Sequence, residues 1–517
     1  MTAAMEQTVL ADGRVELRPE VDAGLGTSSL HNEDLAPVPV SKRTWTTYNY
    51  LALWIGMAIN VPTWLLASGL IGLGMSWTQA LFTIFLANVI VLLPMLAISH
   101  AGTKYGIPYP VFARASFGTV GANLPAMIRA GVACGWFGIQ TWIGGGALFA
   151  VVGALLGPDS FWMKADKISI GFGVAAAQPW TMWLSFAIFW ALNIVIIVWG
   201  MEAIKVFENW AAPFLIIVFL GLMVMMIAQA GGLGPVVSTP GTKEGEFWSL
   251  FPLSLMGMIA FWSTLSLNMP DFTRFGRSQK EQAFGQALGL PTTMTLFPLV
   301  GVLTTSATVV VYGSAIWDPV ALTGKMSNPI LLLIMLAALA LATLTTNVAA
   351  NVVSPSYDFS NLWPRRISFR TGGIITGVLG ILIQPWNLLS DPNSYIFTWL
   401  GTYGGATGAI AGVLIADYWW IRRKELKLAD LYRKDGAYKY MSGWNWIAVV
   451  SLLVGIVFAI GGANSALDAA GKATGPFPVN GLIPFLKPLY DYSWVVGLVV
   501  GGGLYGILTT FLGKKEA

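Results

Sequence analysis

The sequence predicts an all-α polytopic membrane protein of twelve spans: two five-helix halves of opposite topology, plus two appended helices. Three observations predict it. Hydrophobic residues fill 55% of the 517 positions and charged residues only 10%, which no soluble class matches. Apolar stretches of about twenty residues, enough to cross a bilayer, recur along nearly the whole chain. The first of them is interrupted at its middle by Ile59-Asn60-Val61-Pro62, where a plain anchor would carry aliphatic residues. Proline removes a backbone donor, and polar groups freed at bilayer depth survive only against protein or a water-filled cavity. Broken spans in a many-helix chain mark solute pathways.

The spans are read at Tyr50–Leu73, Ala80–Ser99, Asn123–Leu156, Met182–Trp199, Trp210–Gln229, Phe251–Leu267, Leu290–Tyr312, Ile330–Val353, Thr371–Leu389, Tyr395–Ala416, Trp446–Ile460 and Trp494–Leu512. The third is long for one crossing, so it tilts or continues beyond the bilayer. If the first span runs outward the sixth runs inward, so spans 1–5 and 6–10 form an inverted repeat. A cytoplasmic N-terminus places 22 of the 29 Lys and Arg on the inner side, and the positive-inside rule then puts both termini in the cytoplasm. The basic residues are dispersed over loops, which excludes a nucleic-acid surface.

Four regions follow. Residues 1–45, polar and dotted with proline, form a disordered cytoplasmic tail. Residues 46–421 form the ten-span core, 422–513 a cytoplasmic loop with spans 11 and 12, and 514–517 a short tail. The connection Gly102–Arg114, with two prolines and two glycines among aromatics, reads as a packed cytoplasmic loop. Gln279–Gly289 reads as a short amphipathic surface helix ahead of span 7. One cysteine, Cys134, and two histidines exclude an internal disulfide framework and disfavour a Cys/His metal site. A catalytic constellation at membrane depth is missing, which argues against an enzyme. A passive channel needs a constriction shared with a symmetry this chain lacks.

Inside the spans, Arg129, Trp136 and Gln140 fall on one face of span 3 at about 100° per residue. An indole beside an amide suits a planar heterocycle with donors and acceptors, although a packing Trp and an interhelical Gln would look the same. Arg129 costs at least about 2.5 kcal/mol at the bilayer centre unless it is paired or hydrated, which makes it a gate candidate opposite Asp271 or Asp358. On span 8, the adjacent hydroxyls of Thr345 and Thr346, with carbonyls freed by a neighbouring break, can cage a monovalent cation. Asn347 and Asn351 lie one turn apart and need partners. Trp262 on span 6 is read as packing or ligand stacking.

Four separated segments resemble the nucleobase–cation symporters, which include cytosine, purine, uracil, thiamine, allantoin and hydantoin permeases. They are His100–Gly106, Trp136-Phe137-Gly138-Ile139-Gln140-Thr141-Trp142, Asn268–Phe275 and Asn347–Pro355. The resemblance runs from about Lys42 to Tyr440. It implies a leucine-transporter-like five-plus-five fold working by alternating access, with a flat substrate held between Trp136 and Trp262. It implies edge contacts from Gln140 and Asn351, an amide position at Asn60, and a sodium site at Gly56, Ile59, Ala342, Thr345 and Thr346. Ala260 and Phe261 stand where sodium-coupled relatives carry glycine, which bears on whether span 6 unwinds.

The expected activity is import of a nucleobase, uracil or a related purine or pyrimidine, with Na+ or H+ across the cytoplasmic membrane. Allantoin or hydantoin is the alternative within the family. No cofactor beyond the coupling ion and no nucleic-acid partner is expected; the bilayer is the remaining partner.

Overall fold

The computed structural model describes residues 6–171, 177–199, 201–326, 328–389, 398–465, 473 and 475–512. Each predicted span falls on a helix. Span 1 is two helices, α2 (Thr47–Ala58) and α3 (Val61–Gly72), bent by 61° at a break. α2 follows a small hairpin of β1 (Gln7–Val9) and β2 (Val15–Leu17) and a short helix, α1 (Pro19–Leu25). Span 2 is α4 (Trp77–Tyr105), and the packed loop predicted after it contains α5 (Tyr109–Phe117), buried throughout. Spans 3, 4 and 5 are α6 (Asn123–Leu156), α7 (Trp180–Trp199) and α8 (Met201–Gln229). At 34 residues α6 is about 50 Å long, so it outreaches the hydrocarbon layer as its length suggested.

Span 6 is α9 (Phe247–Asn268), followed by a single turn, α10 (Pro270–Thr273). The helix is unbroken at Ala260-Phe261, so span 1 is interrupted and span 6 is not. Span 7 is α11 (Gln279–Tyr312). The expected separate surface helix at Gln279–Gly289 is its first three turns, because the Ser278 hydroxyl caps the Glu281 amide at 3.2 Å and no proline follows until Pro291. Span 8 is α12 (Pro329–Asn351), continued beyond Val352 by α13 (Val353–Leu362). Span 9 is α14 (Phe369–Leu382) and span 10 is α15 (Gly401–Ile415). Spans 11 and 12 are α16 (Trp446–Ile460) and α17 (Ser493–Leu512). The predicted start of span 10 at Tyr395 lies outside the described residues.

Packing sorts the helices into two groups. α2, α3, α4, α9 and α11 pack on one another; α6, α7, α12, α13 and α14 form the second set. This is the five-plus-five core, with spans 1, 2, 6 and 7 facing spans 3, 4, 8 and 9, and spans 5 and 10 beside them. Close approach within the second set depends on glycine: a Cβ on Gly138 would come within 2.3 Å of the Gly380 carbonyl oxygen. α15 rests on α17 the same way, since a Cβ at Gly412 would meet the Leu498 oxygen at 2.2 Å.

The N-terminal segment, expected to be disordered, is folded from residue 6 onward. Val15, Leu17, Leu25, Leu35 and Val38 are buried. Arg43, 2% exposed, donates Nε–H to Val38 O at 2.8 Å, Nη2–H to Val15 O at 2.9 Å and Nη1–H to Lys104 O at 3.2 Å. The Tyr432 hydroxyl donates to Leu35 O at 2.7 Å, and Asn32 Nδ2 donates to Pro364 O at 2.8 Å. A polar average composition hid a few apolar residues that fold only against loops supplied by distant spans.

Candidate functional site

The site begins with the break in span 1. Asn60 is extended, at φ −147°, ψ 164°, and its Oδ1 accepts the Thr63 amide at 2.7 Å as the N-cap of α3. Its Nδ2 donates back to Met57 O in α2. One side chain thereby satisfies polar groups on both sides of the interruption, which hydrocarbon could not do. Two carbonyls lose their helical donors. In a continuous helix the amides of Asn60 and Thr63 would bond to Gly56 O and Ile59 O; here they bond to Ala58 O at 3.1 Å and to Asn60 Oδ1.

Beside this break lies a cavity of about 30 Å³ between the two helix groups, walled by α2, α3, α6, α9 and α12. All five residues expected to bind substrate line it: Asn60, Trp136, Gln140, Trp262 and Asn351. Each is buried, with exposure between 2% and 7%. Gln140 Oε1 and Trp262 Nε1 are buried without a hydrogen-bond partner. Asn60 differs from the other four, because its amide is committed to the break.

Phe261 stands between the two tryptophans. Its ring centroid is 5.1 Å from Trp136 and 4.9 Å from Trp262, at interplanar angles of 81° and 89°. Trp136 Nε1 donates to the Tyr403 hydroxyl at 3.2 Å, and that hydroxyl donates to Ala260 O at 2.9 Å. Neither Phe261 nor Tyr403 is among the site residues the sequence predicts. The signals were there: Phe261 replaces an expected glycine, and Tyr403 is the one large side chain in Gly401-Thr402-Tyr403-Gly404-Gly405.

Of the expected cation ligands, Gly56 and Ile59 end α2, and Ala342, Thr345 and Thr346 lie on α12, which packs against α2. Thr346 Oγ1 is buried without a partner and its residue lines the cavity. Thr345 Oγ1 donates to Leu341 O and Ala342 O, each at 3.1 Å. Two carbonyls without helical donors and one unpartnered hydroxyl are oxygen ligands suited to a hard monovalent cation. Among the described residues no group of three His, Cys, Asp or Glu gathers for a divalent or transition metal.

Arg129 borders the cavity near the N-terminal end of α6. Its Nε and Nη2 donate to Asn268 Oδ1 at 3.2 and 2.9 Å, and Nη1 lies 3.4 Å from Asp358 Oδ2. Of the two carboxylates considered for it, Asp358 is the ion-pair partner. Asp271 instead caps α5, its Oδ1 accepting the Tyr109 amide at 2.8 Å.

The family model for permeases of cytosine/purines, uracil, thiamine and allantoin matches residues 37–497. The chain belongs to this family of permeases. An allantoin permease of Bacillus subtilis is 39% identical over 93% of the chain and 94% of the relative. A purine-uracil permease of Arabidopsis thaliana is also 39% identical, over 95% of the chain and 79% of the relative. The fold matches that of a nucleobase-cation-symport-1 family transporter in a closed conformation with bromovinylhydantoin bound, at a TM-score of 0.74 and 25% identity. That match covers 95% of this chain and 98% of the other. The permeases the chain matches are transporters.

Proposed function

We propose that this permease imports a nucleobase, uracil or a related purine or pyrimidine, together with a cation across the cytoplasmic membrane, with both termini in the cytoplasm. The observation that carries the reading is the convergence of Trp136, Trp262, Gln140 and Asn351 on one cavity beside the interrupted span. Indole faces bury a flat ring, and the amides select its hydrogen-bonding edge. Allantoin is the second reading, supported by the 39% identity to the Bacillus subtilis permease.

The coupling ion in this proposal is Na+, held by Gly56 O, Ile59 O, Ala342 O and the hydroxyls of Thr345 and Thr346. A cation bound at the α2–α12 junction favours the state in which those helices meet, which is how its gradient biases the cycle. Arg129, with Asn268 and Asp358, serves as the inner closure, and Asp271 stiffens it by holding α5.

A thermal-shift panel of the purified protein against uracil, xanthine, cytosine, allantoin and hydantoin tests the substrate. A ligand bound only by the native state raises apparent stability, and no shift with any of them rejects the reading. Uptake with Na+ replaced by choline at fixed pH tests the ion; undiminished uptake rejects Na+.

A further inference from the structure

We propose that Asn193, on α7 and outside the cavity wall, is a positioning residue that fixes which end of the Asn351 amide faces the transported ligand. The proposal rests on the reading of the cavity as a site for a planar heterocycle. A side-chain amide has one donating and one accepting end, and its neighbours decide the direction. Backbone carbonyls only accept, so they anchor the assignment.

The chain of amides starts at Phe189 O, which receives Asn193 Nδ2–H at 2.8 Å. This turns Asn193 Oδ1 toward α12, where Asn347 Nδ2 donates to it at 3.1 Å. The same Asn347 nitrogen lies 3.3 Å from Phe137 O and 3.2 Å from Thr141 Oγ1. Thr141 donates its own proton to Phe137 O at 2.7 Å, so its oxygen is an acceptor too. With three acceptors around its nitrogen, Asn347 presents Oδ1 to the next helical turn. Asn351 Nδ2 donates to that oxygen at 3.0 Å. The end of Asn351 left for the cavity is therefore its carbonyl oxygen.

Asn193 and Asn347 have no exposed surface, and all the groups sit on α6, α7 and α12, which pack in one helix group. The direction of the amide is thus set by contacts internal to that group. At Asn351 the cavity offers an acceptor, so the ligand must present an N–H there: a lactam, imide or ureide nitrogen, or an exocyclic amine. A methyl on that nitrogen removes the hydrogen bond and adds bulk in one step.

The test measures uptake by the full chain in membranes of uracil, allantoin and hydantoin, each beside its N-methylated forms. The readout is the ratio of parent to methylated uptake within each variant, which is independent of expression level. Asn193→Leu removes the nearest of the three acceptors around the Asn347 nitrogen, weakening the bias on the amide's direction, and is expected to lower the ratio at one nitrogen several-fold. Asn193→Asp, kept protonated by burial, retains one acceptor and one donor and is expected to preserve it. Thr141→Val, a milder change, is expected to lower the ratio in the same direction if Asn193→Leu does not fold. An unchanged ratio in Asn193→Leu or Thr141→Val, or equal loss in Asn193→Asp, overturns the relay while leaving the cavity reading intact. Wild-type protein that takes up none of the three compounds overturns the cavity reading and this proposal with it.

Discussion

Trp136 on α6 donates its indole N–H to the Tyr403 hydroxyl on α15 at 3.2 Å, and Tyr403 bonds onward to Ala260 O on α9. One hydroxyl thus ties three spans at the cavity wall. Tyr403→Phe deletes only that oxygen. Two ordinary hydrogen bonds contribute about 0.5–1.5 kcal/mol each, so the fold is expected to survive with a small fall in apparent Tm. Ligand affinity, followed by quenching of tryptophan fluorescence, is expected to fall several-fold more than Tm implies. Wild-type affinity in the variant would separate Tyr403 from the site.

The amide of Asn60 serves two helices at once. Asn60→Ala removes the cap of α3 and the donor to Met57 O, and loss of a cap alone costs about 0.5–2 kcal/mol. Asn60→Ser keeps a capping oxygen but not the reach back to Met57, so it is expected to fall between wild type and Ala in thermal stability. If Ala and wild type melt together, the break does not depend on this residue.

The Arg129–Asp358 pair is fully buried, at 1% and 0% side-chain exposure. Asp358→Asn leaves the guanidinium with neutral partners only, and stranding one half of a buried pair costs about 3–5 kcal/mol. The double variant Arg129→Met with Asp358→Leu is expected to regain much of that stability without regaining transport. Equal Tm values for the single and double variants would contradict it.

Gly138 and Gly131 lie two turns apart on α6 in opposite circumstances. A Cβ at Gly138 strikes the Gly380 oxygen, whereas one at Gly131 meets nothing within 4 Å. Gly138→Ala is expected to destabilise by about 1–3 kcal/mol through overpacking. Gly131→Ala is expected to be neutral or to stabilise by up to about 1 kcal/mol, since Ala is the better helix former. Paired melting curves decide it.

His31 packs 5.9 Å from the Tyr432 ring, and burial lowers its pKa below the usual 6.5. The undocked segment therefore takes up a proton near pH 6.5 while the docked one resists it. Docking is expected to hold its full strength above that pH and to weaken as the pH falls below it. Amide exchange over residues 28–35, corrected for intrinsic rates, should show less protection at pH 5.5 than at pH 7.5. A His31→Asn variant should lose this dependence.

Much of the core was legible because the bilayer enforces it: twelve apolar stretches became twelve spans, and Asn60-Val61-Pro62 marked the bend. The shared face of Arg129, Trp136 and Gln140 followed from helical periodicity alone. What resisted was whatever depends on two distant stretches meeting. Asp358, not Asp271, reaches Arg129: it lies on α13, which continues α12 past Val352, while Asp271 is committed to the Tyr109 amide. The hairpin at residues 7–17 owes its order to loops hundreds of positions away. Ser278 extended α11 into a stretch whose amphipathic pattern alone suited a surface helix.

The bare-backbone contact between α15 and α17 has a mechanical consequence. Where Gly412 meets Leu498 no flexible side chain is left to absorb a displacement. Any tilt of α15 during the cycle has to carry the twelfth helix along, so turnover is expected to respond to acyl-chain length and lateral pressure.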